Sequence, residues 1–167
     1  MAKPTKHAPL ICIIMSILAV IGIILSLLLS SPLPAIFLLL PTVVYEVYRT
    51  EGASTKSSSI IILVVLILEI VLIIFNIDID LAGFLGEDTK YIAGYEINLG
   101  VLTLVGPTLI AILSIVLFIR TRGVFTRWLA AIVFITAFFI IYELDPESVK
   151  ELLRFGVDKA LDRLTYI

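Results

Sequence analysis

Ser59–Asp80 reads SIIILVVLILEIVLIIFNIDID, and between Ile60 and Ile77 its one charged residue is Glu69. Eighteen residues at ~1.5 Å per residue make a helix of about 27 Å, close to the ~30 Å thickness of bilayer hydrocarbon. Isoleucine and valine also suit strands, but soluble strands seldom exceed about ten residues. A lone segment in lipid must satisfy its own backbone hydrogen bonds, which makes it a helix. Glu69 then lies near mid-depth, where a carboxylate costs several kcal/mol unless it is protonated, paired or facing water.

The composition agrees. Of 167 residues, 60% are hydrophobic and 16% charged, well under the ~25% charged of soluble domains. Mean hydropathy is +1.17. A net charge of −2 provides no bulk basic field, so nucleic acid is not an expected partner. Cys12 and His7 are the sole cysteine and histidine. The chain therefore has no internal disulfide and no Cys/His cluster, and no metal or cofactor is expected.

Outward from the central stretch, further apolar runs stand at regular intervals. Leu10–Leu29 follows a short basic tail bearing Lys3, Lys6 and His7. Its length exceeds the 7–15 apolar residues usual in a signal peptide, so it reads as a retained first span. The SSPLP turn at Ser30–Pro34 leads into Leu33–Tyr48, where Pro41 should kink the helix. The end of this run, Tyr45-Glu46-Val47-Tyr48-Arg49, reads as an interfacial belt with Glu46 and Arg49 as an end anchor. Thr50–Ser58 is small and polar and reads as a loop. A second loop, Asp78–Glu96, is acidic, and Asn76–Asp80 could be a short extended piece. Ile97–Ile119 is a fourth span with Gly106-Pro107 near its centre. After the basic turn RTRGVFTR comes Trp128–Tyr142, able to extend back toward Val124.

The expected architecture is thus an all-α integral membrane protein with about five transmembrane helices. The bundle occupies 1–142, with spans of about 10–29, 33–48, 60–77, 97–119 and 126–142. A C-terminal amphipathic helix over 145–167 is signalled by Asp145-Pro146-Glu147 and by apolar residues at three- and four-residue spacing. Five spans put the termini on opposite sides. The loops on the N-terminal side collect Lys3, Lys6, Arg49, Lys56, Arg120, Arg122 and Arg127 against Lys90 on the other, which places the N-terminus in the cytoplasm and the chain in the cell membrane. A re-entrant Trp128–Tyr142 would leave four spans, with the tail inside.

Candidate chemistry is sparse. Glu69 is the one acid deep in a span. The antiparallel fourth span brings the Pro107 region to similar depth. There Thr103, Thr108 and the Thr103 carbonyl freed by Pro107 could form a polar spot for an ion or proton. The competing reading is a protonated Glu69 hydrogen-bonded between helices or paired with a partner's cation. Asp78 and Asp80 form an Asp-x-Asp pair. Together with Glu87 and Asp88 they could offer oxygens to calcium, but the spacing is not that of an EF-hand, and a solvated acidic loop is the simpler reading. Arg120, Arg122 and Arg127 could touch lipid headgroups or a partner, or serve as topological anchors. On the tail helix, Leu152, Phe155 and Leu161 are candidate partner contacts. No nucleophile with a histidine or aspartate around it stands out, so no catalytic activity is expected. The favoured function is a structural or accessory subunit of a larger membrane protein complex. The alternative is a small ion, proton or solute transporter or channel component using Glu69 and the Pro107 kink. The expected partners are the lipid bilayer and other membrane subunits.

Overall fold

A computed structural model describes residues 7–75, 89–92, 95–98, 102–146, 149–150 and 154, without the side chains of 89–98, 102 and 103. Five helices follow in order: α1 Ala8–Leu29, α2 Leu33–Arg49, α3 Ala53–Ile74, α4 Leu102–Arg120 and α5 Val124–Leu144. Between α3 and α4 stand β1, Thr89–Ile92, and β2, Tyr95–Asn98. α1, α3 and α5 are long and apolar enough to cross a membrane.

Three boundaries depart from the sequence reading. Ala53–Ser58, expected as loop, is the start of α3. Its hydroxyls bond back along the chain, Ser57 to the Ala53 carbonyl at 2.8 Å and Ser58 to that of Ser54 at 3.2 Å, so small polar residues extend an exposed helical end. Gly52, at φ +109°, turns the chain just before it. Second, Ile97 and Asn98 belong to β2, whose pairing with β1 runs from Thr89 opposite Asn98 to Ile92 opposite Tyr95. The aromatic and β-branched residues of TKYI and YEIN favour a strand pair. α4 therefore has 19 residues and begins at Leu102. Third, α5 begins at Val124 and has 21 residues, longer than the expected 126–142, and so joins the helices long enough to cross a membrane. α2 and α4 run on through Pro41 and Pro107. Asn76–Asp80, Glu87, Asp88 and most of the expected tail helix, with Leu152, Phe155 and Leu161, lie outside the described residues.

Cross-helix contacts fix the directions. Arg120, at the end of α4, bonds Ser54 at the start of α3, whereas Glu69, late in α3, meets Gly106 early in α4. These helices are antiparallel. On α1 and α5, Ser16 meets Trp128 and Ser26 meets Glu143, so this pair is parallel. The five helices alternate up and down. The α2–α3 and α4–α5 connections share one end with the start of α1.

The packing is inverted relative to a soluble bundle. The buried stripe of α1 is Ala8, Cys12, Ala19, Gly22 and Ser26, whereas Leu10, Ile13, Ile17, Val20 and Ile24 face outward. Without a hydrophobic drive between helices in lipid, small side chains that let backbones approach closely supply the packing. Gly22 shows the effect. A Cβ there would stand 3.0 Å from Leu38 Cβ and 3.3 Å from Ala35 Cα on α2. The apolar centre is built by Ile36, Leu39 and Val43 of α2, Ile62 and Leu66 of α3, Ile110 and Leu117 of α4, and Val133 and Ile140 of α5.

Gly22→Val is expected to destabilise the protein by about 1–3 kcal/mol through overpacking. Ile21→Val, on the exposed face, should cost less than about 0.5 kcal/mol. Thermal melts of the two variants in one detergent check this, and equal melting points would remove the close α1–α2 approach from the account.

Candidate functional site

α3 buries one stripe, Ser59, Ile62, Leu66, Glu69 and Leu72. The three- and four-residue spacing carries Glu69 inward together with its aliphatic neighbours. Its side chain is 1% exposed and fills the notch that Gly106 leaves on α4. A Cβ on Gly106 would overlap the Glu69 carboxyl group. The Gly106 backbone N–H donates to that carboxyl, while Oε2 is buried with no hydrogen-bond partner among the described residues. Next in sequence, Pro107 has no N–H to give to the Thr103 carbonyl.

Glu69 and the Gly-Pro segment of α4, expected at similar depth, meet in the structure. The residue in contact is Gly106, which the sequence reading did not single out. Thr108 is exposed and donates to the Leu104 carbonyl of its own helix at 2.7 Å. Thr103 lies in the first turn of α4, with its side chain outside the described residues. A small residue beside a helix-breaking proline, at the depth of a buried acid, was the available signal for the notch.

A second interior acid sits on α2. Glu46 is fully buried, and both of its carboxyl oxygens lack a hydrogen-bond partner among the described residues. So does the hydroxyl of Thr42, one turn earlier. The buried stripe of α2 runs Ala35, Ile36, Leu39, Thr42, Val43, Glu46 and Arg49. Glu46 and Arg49 thus point into the bundle and are not an exposed anchor. The guanidinium of Arg49 lies 5.0 Å over the Phe125 ring of α5, and its Nη1 is 3.5 Å from the Tyr45 hydroxyl. The polar residues of α2 share the face that also carries Ile36, Leu39 and Val43, and in a lipid-facing helix a polar face marks the interior.

At the α5 end opposite the Arg49–Phe125 contact, Ser26 of α1 donates to Glu143. Of the arginines singled out in the sequence, Arg120 and Arg122 stay together and Arg127 turns elsewhere. Arg120 donates to Ser54 Oγ at 2.9 Å. Arg122 is exposed beside it in the α4–α5 connection. Arg127 turns its Nε to the Thr121 carbonyl at 2.7 Å. Among the described residues no three His, Cys, Asp or Glu side chains are grouped to hold a metal ion.

Chemically, the Glu69 carboxyl group can hold a proton. One carboxyl oxygen has an amide donor, and the other is buried with no hydrogen-bond partner among the described residues. An ionised, unpaired carboxylate there would carry a desolvation cost of several kcal/mol.

The class these features define is a helical protein suited to a lipid environment, with acids turned into the bundle. Comparison with protein-family models, with curated proteins and with solved structures gives no match.

The notch makes a signed prediction. Gly106→Ala should destabilise the protein by about 1–3 kcal/mol, because the new methyl group displaces Glu69. In a Glu69→Ala background the same change should be neutral or stabilising, since alanine is the better helix former by about 1 kcal/mol. A double-mutant cycle read by thermal unfolding gives the coupling. Additive effects would show that the two residues do not share this space.

Proposed function

We infer that the chain is a structural or accessory subunit of a larger membrane protein complex, with all five helices crossing the bilayer. The observation that carries this reading is the apolar length of α2. The whole helix has 17 residues, about 25 Å against the ~30 Å of hydrocarbon. A helix this short is accommodated by thinning the bilayer or by covering its ends with neighbours. Its outward residues Phe37, Val44 and Tyr48 fall on one stripe. Phe37 and Tyr48 are the kind of side chain enriched where protein surfaces meet. A transmembrane helix of a larger subunit against this stripe would cover the mismatch.

The distribution of cations supports an orientation. Lys56, Arg120, Arg122 and Arg127 gather at the end shared by the α2–α3 and α4–α5 connections, which by the positive-inside rule faces the cytoplasm together with the N-terminus. The cell membrane is the corresponding location.

Glu69 favours a second reading. A buried acid with an oxygen that has no partner among the described residues, beside a proline-bearing helix, is the arrangement expected of an ion- or proton-carrying component.

Gentle detergent extraction of the native protein, followed by sizing and mass spectrometry, separates the two. The subunit reading expects a larger chain at fixed stoichiometry, loosened by Phe37→Ala with Tyr48→Ala. A monomer or homo-oligomer would end that reading. The transport reading then expects pH- or cation-driven flux into liposomes that falls at least tenfold in Glu69→Gln, and unchanged flux would remove it.

A further inference from the structure

Where the α2–α3 and α4–α5 connections meet, a cavity of about 410 Å³ opens between Arg49, Arg120 and Arg122 on one hand and Thr50, Thr121 and Thr126 on the other. Glu51 also lines it, so three arginines and one glutamate border the same space. The residues come from four different segments that the fold converges on one point: the end of α2, the start of α3, the end of α4 and the start of α5.

Further features give this cavity a positive field. The first turns of α3 and α5 both begin here, after Gly52 and Gly123, and neither has a side-chain cap. The first amides of each helix have no intrahelical acceptor and carry the positive end of the helix dipole. The Thr121 hydroxyl is buried and has no hydrogen-bond partner among the described residues. Arg49, 5% exposed, is held over Phe125, and Arg120 is held by Ser54. Their positions are therefore set before any ligand arrives.

We propose that this cavity binds a phosphate group, carried by an anionic lipid headgroup or by a soluble phosphorylated molecule. Guanidinium groups present forked donors that match phosphate oxygens, and uncapped helix starts accept the same charge. Topological anchoring accounts for cations at helix ends. It does not call for three of them to line one cavity, nor for one to be buried. The site lies at the rim of the bundle, at the level where a lipid phosphate would sit if the helices span the membrane.

The test uses the full-length protein in dodecyl maltoside micelles, titrated with dioleoylphosphatidylglycerol, with dioleoylphosphatidylcholine as reference and sn-glycerol 3-phosphate as the soluble probe. Bound ligand is counted by native mass spectrometry. The wild-type chain should prefer phosphatidylglycerol over phosphatidylcholine. Arg122→Gln, an exposed position, should weaken that binding about tenfold or more, in line with the loss of a charge-assisted hydrogen bond. Thr121→Val should weaken it severalfold. Lys56→Gln removes a charge from the same end outside the cavity and should change it less than about twofold. Binding of glycerol phosphate with the same Arg122 dependence assigns a soluble ligand, and binding of the lipid alone assigns a headgroup; either supports the site. No preference over phosphatidylcholine and no glycerol phosphate bound would overturn it. So would equal loss from Lys56→Gln and Arg122→Gln.

Discussion

Close approach of helices at small side chains is the constraint on which the rest of this structure depends. In hydrocarbon a leucine gains nothing by moving from lipid to a helix interface, so association rests on packing and on polar contacts. The chain is arranged accordingly. α1 turns alanine, cysteine, glycine and serine inward and its largest aliphatic residues outward. At Gly22 the absence of a Cβ sets the α1–α2 separation, and at Gly106 it makes room for a carboxyl group. Polar side chains follow the same logic: Ser59, Glu69, Ser114 and Thr136 are all fully or almost fully buried.

This inversion explains what could be read from the sequence and what could not. The apolar runs are long, uniform and separated by proline- or glycine-bearing turns, so the positions of the five helices among the described residues followed closely. Boundaries were harder. Ala53–Ser58 looks like a loop because small polar residues disfavour helices in water, yet their hydroxyls bond within α3. TKYI and YEIN are short and isolated among acidic and glycine residues, and a two-stranded pair leaves only a weak local signal. Glu46 and Arg49 were misplaced for a further reason. Near the end of a span, charged residues usually mark the water interface, and only the shared face with Ala35, Leu39 and Thr42 reveals that they point inward. Glu69 was legible as a site of interest because a lone acid in an aliphatic run has few neutral explanations. Its partner was not, because a glycine contributes by what it lacks.

The bundle has buried interior acids and an arginine-lined rim. Glu69, and separately Glu46, place acids where solvent does not reach, while the end that joins α2 to α3 and α4 to α5 gathers guanidinium groups, threonines and two uncapped helix starts. A rim that holds phosphate would fix the depth and tilt of a bundle whose second helix is too short to set them by length alone. An interior acid that stays protonated would act as a hydrogen-bonding strut between α3 and α4. The same group would become a carrier only if water or a cation reached its unpartnered oxygen. Support and transport therefore differ at this site in access, not in residue type.

The proposed orientation, the mismatch of α2 and the rim position of the arginines all rest on the proposal that the five helices cross the membrane. Single cysteines introduced in a Cys12→Ser background at Ser31, Glu51, Arg122 and Asp145, labelled in sealed vesicles with a membrane-impermeant maleimide, measure this most directly. Glu51 and Arg122 should react from one side, and Ser31 and Asp145 from the other. Labelling of Asp145 from the same side as Arg122 would mean that α5 does not cross, and would contradict the arrangement.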